Sequence, residues 1–310
     1  MEGEVLPDKE KIIANKNSLA GMELFGVDLS GADLSGANLV KTRLTEANLS
    51  GANLQGADLQ GADLIRANLS GANLTGANME KTVCNSALLD EAKLTAVYAK
   101  NALFSWTSMC GADFRDANLT QASMNEARIR DADFSGATLE DINFQRSDLR
   151  GSNLEHANLR AAYLDGANLV EANLKQSNMS EAYLVQANLL EQDLTGVNLS
   201  QSDLTRANLV GAQLAGVNLS GAKLTEAKLK QAQLENVNLS RANMLEANLT
   251  GANLTGAVFE KAILSETNFK KAKLKGTDLR NVDLRFVDNL EADQVAGALT
   301  DDTTQLPPGL

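Results

Sequence analysis

GADLSGANLVKTRLTEANLSGANLQGADLQGADLIRANLSGANLTGANM, residues 31–79, returns Leu or Met every fifth residue, with Ala or Thr two places earlier. An α-helix advances about 100° per residue, so a five-residue step would scatter the leucines around its axis. A strand alternates faces every two residues, so the same step would put successive leucines on opposite sides. A chain that runs straight for a few residues, turns a corner and repeats can bury every Leu, and such a repeat stacks into a solenoid.

Size and polarity assign the five positions. With Leu34 as the centre, Ala32 also points inward because it shares strand parity. Asp33, between them, occupies an outward slot, and Ser35 and Gly36 make the corner, where Gly accepts the positive φ of a tight turn. Centres recur without insertion or deletion from Leu24 to Leu284. The inward position two residues earlier is Ala, Ser, Thr or Val throughout, except at Met22, Ile142 and Gln192. One large and one small inward residue per side suit a narrow core.

The units GADLS, GANLQ and EANLT resemble the A(D/N)LXX signature of the pentapeptide repeat family over residues 21–285. The resemblance implies an all-β solenoid, a right-handed quadrilateral β-helix with four pentapeptides per coil. At that period the body holds about 13 coils, and residues 20 apart in sequence stack. Three regions are expected: an N-terminal cap (1–20), the repeat β-helix (21–285), and a C-terminal cap and tail (286–310).

Both ends break the period. Pro7-Asp8 followed by KEKIIANKN reads as a short helix. Leu290, Val295 and Leu299 recur at helix-like intervals in NLEADQVAGALTDD, ahead of the irregular TQLPPGL. Each end is expected to cover backbone that would otherwise recruit another chain. All three prolines, Pro7, Pro307 and Pro308, lie outside the repeat. Cys84 is a centre and Cys110 points outward from another side, which argues against a disulfide and fits a reducing compartment. No signal segment opens the chain and no 18-residue apolar run occurs, so a soluble, cytoplasmic protein with no membrane role is expected.

Catalysis finds little to stand on. His156, the one histidine, sits on a corner beside Glu155, and two separated cysteines with one histidine give no zinc spacing. The glycines come at corners rather than in a loop that cradles phosphate. Asp113 and Asp133 stack, but Arg115 lies near and a filled solenoid offers no pocket. The sequence therefore reads as non-enzymatic, without cofactor or metal.

Binding is the class that remains. The side with centres Leu24, Leu44, Leu64 and so on, here the first side, carries Val83, Leu103, Trp106, Tyr163, Tyr183 and Val185 on outward or corner positions. Exposed aromatic and branched apolar groups anchor protein interfaces. The band from Met79 to Phe144 is the least regular part, replacing many Leu centres by Met, Phe, Ile, Cys84 or Ala99 and placing Val83, Leu88, Tyr98 and Leu103 in outward slots. The fourth side carries ladders of Asn158, Asn178, Asn198, Asn218 and Asn238, and of Ser180, Ser200, Ser220 and Ser240, expected to stabilise the stack. These features point to a protein-interaction scaffold or regulator whose partner is a protein of unstated identity.

The resemblance adds an alternative. Some members of the family confer quinolone resistance by resembling duplex DNA and binding DNA gyrase, and the net charge here is −12. Against it, lysines and arginines are interspersed on every side, whereas duplex DNA carries about one charge per 1.7 Å. Nucleic acid itself is not expected as a partner, because Asp131, Asp148, Glu171 and Glu191 interleave with the basic groups of the second side. Long members are numerous in cyanobacteria, where some regulate differentiation, so the resemblance implies a cyanobacterial source and a regulatory role.

Overall fold

A computed structural model describes residues 8–310. They form two compact units, the first ending at Asn158 and the second running Leu159–Leu310. Pro7 and the six residues before it, part of the expected N-terminal cap, lie outside the described residues.

Both units are built from parallel bridges between residues 20 apart, as in Asn53↔Asn73 and Asn198↔Asn218. One coil is therefore four pentapeptides long. Each side contributes a single bridged residue, the one in the outward slot, rather than a strand several residues long. The centres are buried without exception, from Leu24 to Leu284, and so are the small inward residues, including Ile142 and Gln192. Met22 departs from the pattern and is exposed.

In the regular repeat every backbone N–H finds a partner, as Ala52 to Gly56 illustrates. Ala52 donates to Leu49 O at 3.0 Å and closes the preceding turn; Asn53 donates to Ala32 O below at 2.9 Å; Leu54 and Gly56 donate to Asn73 O and Thr75 O above at 2.7 and 3.0 Å. The fifth donor, Gln55 N–H, bonds the Asn53 side-chain Oδ1 at 3.2 Å. This explains the Asp/Asn preference of the outward slot. The side chain does more than face water: it caps a donor that no backbone group reaches. The same amides stack between coils, with Asn73 Nδ2 donating to Asn53 Oδ1 at 3.2 Å and Asn53 Nδ2 to Asp33 Oδ1 at 3.1 Å. On the fourth side Asn198 Nδ2 donates likewise to Asn178 Oδ1 at 3.2 Å, so the asparagine ladder ties the stack, whereas Ser180 bonds Asn178 within its own coil.

The second corner residue is left-handed whether or not it is glycine: φ is 63° at Gly31, 53° at Lys41, 59° at Trp106 and 55° at Ala161. With the closing hydrogen bond, positive φ at the third of four residues is the geometry of a type II turn. Inward hydroxyls such as Thr42 and Thr82 bond backbone carbonyls, Thr42 Oγ1 donating to Leu19 O at 2.8 Å.

At the N-terminal end α1 (Lys9–Ala14) is capped by Asp8, whose side chain accepts from Glu10 N–H, and it buries Ile12. A 3₁₀ turn, Lys16–Ser18, follows, and Lys16 O accepts from Asn38 N–H at 2.9 Å. At the other end α2 (Ala292–Ala296) takes in Val295 but neither Leu290 nor Leu299. Leu299 and Gln305 instead continue the ladder, bridging Asp278 and Asp283, with one and then two extra positions beyond the regular spacing. The tail is thus partly paired backbone. Among the described residues no helix is long and apolar enough to cross a membrane.

Candidate functional site

The outward slots of the first side carry the candidate residues, and the two units present them separately. In the first unit Val83 bridges Leu103, which is 40% exposed. Trp106 stands on the following corner at 57% exposure, its Nε1–H donating to Glu126 Oε2 at 3.1 Å. In the second unit Tyr163 bridges Tyr183, and their rings stack with centroids 5.0 Å apart and planes within 3°. Val185 is half-buried beside them. The ladder spacing dictates this contact, since side chains bridged across adjacent coils stand about 4.8 Å apart. Leu88 and Tyr98 are exposed as well but belong to other sides.

An apolar residue in the outward slot removes the carboxamide that caps the N–H two residues on. For Leu103 and Tyr183 the missing acceptor is supplied from one coil below. Asn85 Oδ1 accepts from Ser105 N–H at 3.1 Å, and Asp165 Oδ1 accepts from Val185 N–H at 3.0 Å. Asp90 Oδ1 does the same for Cys110 N–H at 2.8 Å, above the Ser108 slot. Sequence reasoning missed Asn85, Asp90 and Asp165. Their signal was present: an Asp or Asn on the first corner position, one coil below the corner that follows a slot lacking either residue.

The titratable groups form ion pairs rather than an acid/base site. Arg115 binds Asp113 at 2.7 Å and reaches Asp133 at 3.9 Å, which explains why the stacked carboxylates coexist. The Arg115 hydrogen bonds hold the Asp113 carboxyl below its ordinary value. Asp148 accepts from Arg150 and from Arg130, at 2.8 and 2.6 Å, and these bonds hold it well below the usual carboxylate range. His156 lies exposed on its corner, 3.9 Å from Glu155. Burial pushes the Cys84 thiol up, and Cys110, on another side, is partly exposed. Among the described residues no group of three or more His, Cys, Asp or Glu could hold a metal ion.

No curated protein matches the chain. Among solved structures it is similar to HetL, a pentapeptide repeat protein involved in heterocyst differentiation regulation from the cyanobacterium Nostoc sp., at 28% identity over 84% of this chain and 94% of that one, with a TM-score of 0.27. It is similar to alr5209, also from Nostoc, at 32% identity over 34% of this chain and 84% of that one, TM-score 0.30. QnrB1, a plasmid-mediated fluoroquinolone resistance protein, matches at 15% identity over 91% and 92% of the two chains, TM-score 0.31. The family model for pentapeptide repeats matches residues 23–61, 57–95, 152–189, 182–221, 193–231, 218–256 and 247–285, and the pentapeptide repeat region model matches 77–154. With the repeat matched from residue 23 to residue 285, the chain belongs to the pentapeptide repeat family, a family of right-handed β-helices.

Proposed function

We propose that the protein is a non-enzymatic interaction scaffold or regulator that binds a partner protein through the outward residues of its first side. Val83, Leu103 and Trp106 make the contact in the first unit, and Tyr163, Tyr183 and Val185 make it in the second. The observation that carries this reading is the displaced capping at Leu103 and Tyr183. An ordinary Asn in either slot would satisfy the backbone locally, yet the chain exposes a large apolar group there and recruits Asn85 or Asp165 to cap the orphaned donor. Exposed apolar groups that require such compensation are better explained by contact with a partner than by strand preference.

The accompanying organisation is a repeat body at 21–285 of about 13 coils, with 1–20 and 286–310 as caps. The caps are supported by the Lys16–Asn38 backbone bond and by the pairing of Leu299 and Gln305. A cytoplasmic location goes with this reading.

Affinity capture from the source cell, followed by titration of the identified partner, tests the proposal. Trp106→Ala and Tyr183→Ala should each weaken binding by about 2 kcal/mol or more, roughly 30-fold. Ser200→Ala on the fourth side should leave it unchanged. Equal affinity for all three variants would refute the assignment of the first side. Inhibition of gyrase supercoiling by the purified protein would replace this reading with that of a DNA mimic.

A further inference from the structure

Within the second unit, the step from the coil containing Tyr163 to the coil containing Tyr183 is unevenly bonded. On the first side Leu164 N–H donates to Tyr183 O at 2.7 Å, Tyr183 N–H to Ala162 O at 2.9 Å, and Gly166 N–H to Val185 O at 2.9 Å. The fourth side is also closed, with Met179 N–H donating to Asn198 O and Glu181 N–H to Ser200 O, both at 2.9 Å. The third side, two corners from the first, is different. Repeat geometry calls for bonds from Leu174 to Asp193 O, from Gln176 to Thr195 O and from Asp193 to Ala172 O. None of these forms among the described residues.

The cause is Gln192. It is the one amide in an inward position otherwise held by small or apolar residues, and it is 5% exposed. Its Nε2 donates to Ala172 O, the carbonyl that the Asp193 N–H would otherwise use. Its Oε1 is buried without a partner. Gly196, on the next corner, opens to φ 78°, against 71° or less at the other corner glycines. What remains across this side includes the Lys175–Asp193 ion pair at 3.5 Å, largely exposed and therefore weak. One coil further on the ladder is whole again, with Leu194 N–H donating to Gln213 O and Gln213 N–H to Gln192 O, both at 2.9 Å.

We infer that Gln192 builds a hinge seam into the second unit: the third side opens between residues 171–176 and 190–195 while the first side, held by the Tyr163–Tyr183 step, acts as the pivot. The other sides resist separation through backbone bonds. The third is already unzipped and carries the unsatisfied buried Gln192 Oε1, which gains a partner when water enters. Local opening starts where backbone bonds are fewest. The inference is independent of whether the tyrosines bind a partner.

Native-state hydrogen exchange on the full chain tests the seam. The amides of Leu174, Gln176 and Asp193 should exchange at least tenfold faster than those of Leu194, Gln213 and Glu191, the last of which donates to Val210 O at 2.8 Å. Gln192→Ala and Gln192→Ser restore residue types that the inward row holds elsewhere, so both should fold. Each should slow exchange at Leu174, Gln176 and Asp193 by at least tenfold while leaving Tyr183 unchanged. Equal protection of the two sets in the unsubstituted protein, or no slowing in either variant, overturns the inference.

Discussion

Residues 31–79 and 79–144 lie in one unit and differ in their centres and outward slots, yet their backbones bond alike. In the regular stretch Leu54 N–H reaches Asn73 O at 2.7 Å; in the irregular band Phe104 N–H reaches Ser123 O at 2.6 Å and Leu103 N–H reaches Thr82 O at 2.9 Å. The ladder is thus a property of the backbone path. Side chains need only meet two demands: fill a fixed internal volume, and cap one N–H per repeat. The band meets the first with large and small centres such as Phe104 after Ala99, and at the apolar Leu103 slot it meets the second from a neighbouring coil.

The sharpest way to break this comparison is to empty the core in each region. In the band Phe134 stacks on Phe114 with centroids 4.8 Å apart and meets Phe144 edge-on at 5.8 Å. Phe134→Ala should cost about 3–5 kcal/mol and Leu54→Ala about 2–4 kcal/mol, because coils bonded above and below cannot collapse into the void. Urea unfolding followed by circular dichroism reads both. A Phe134→Ala loss below about 1 kcal/mol would mean that the aromatic centres do not bear on one another.

Displaced capping gives the next largest effect and permits a double-mutant cycle. Asn85→Ala orphans the Ser105 N–H and should cost about 1–2 kcal/mol, and Leu103→Asn in that background should recover most of it by capping locally. In the regular stretch no such backup exists, so Asn53→Leu should cost a similar amount with no equivalent rescue. Additive losses in the cycle would dissolve the link between Asn85 and the apolar slot.

Acid separates the regions further. The regular stretch caps largely with neutral amides such as Asn53 and Asn73, while the coil that follows the band uses Asp148, which accepts from Arg150 and from the band's Arg130. Those bonds lower the folded-state pKa of Asp148. A depressed folded pKa contributes stability that is present above the unfolded value, near about 3.9, and is lost as pH falls through the folded value. Asp148→Asn should therefore destabilise the protein by about 1 kcal/mol at pH 7. The gap between variant and parent should narrow as pH drops below about 4. A gap that is constant down to pH 2 would assign the loss to packing instead.

The period of five was legible because it excludes helix and strand alike, and from it followed the inward pairs and, with the family's four-sided coil, the spacing of 20 confirmed by Asn53↔Asn73. Tyr163 and Tyr183 were legible as a stack for the same reason, since that spacing fixes vertical neighbours. Asn85 and Asp165 left a signal, an Asn or Asp on the first corner one coil below, but using it requires the direction of the hydrogen bond, which the repeat pattern alone does not give. Leu299 and Gln305 escaped for a related reason. Their bridges to Asp278 and Asp283 overshoot the regular spacing, so any search at a fixed period passes over them. Gln192 stood out as an exception in the sequence, but its consequence lay in which carbonyl its amide takes.

Corners yield the smallest effect and one whose sign reverses between the regions. Gly56, in the regular stretch, has φ 63° and open space where a Cβ would go, so Gly56→Ala meets no steric neighbour and incurs only the left-handed backbone penalty. Ala96, in the band, already sits at φ 54°. That penalty is about 1–2 kcal/mol for a residue with a Cβ, offset by about 0.4–1 kcal/mol from the lower unfolded-state entropy of alanine relative to glycine. Gly56→Ala should therefore destabilise by roughly 0.5–1 kcal/mol, and Ala96→Gly should stabilise by about the same amount. Thermal unfolding at matched concentration measures both. If both exchanges shifted the midpoint in the same direction, backbone conformation would not govern the corners, and side-chain contacts made by the corner residues would have to account for the difference.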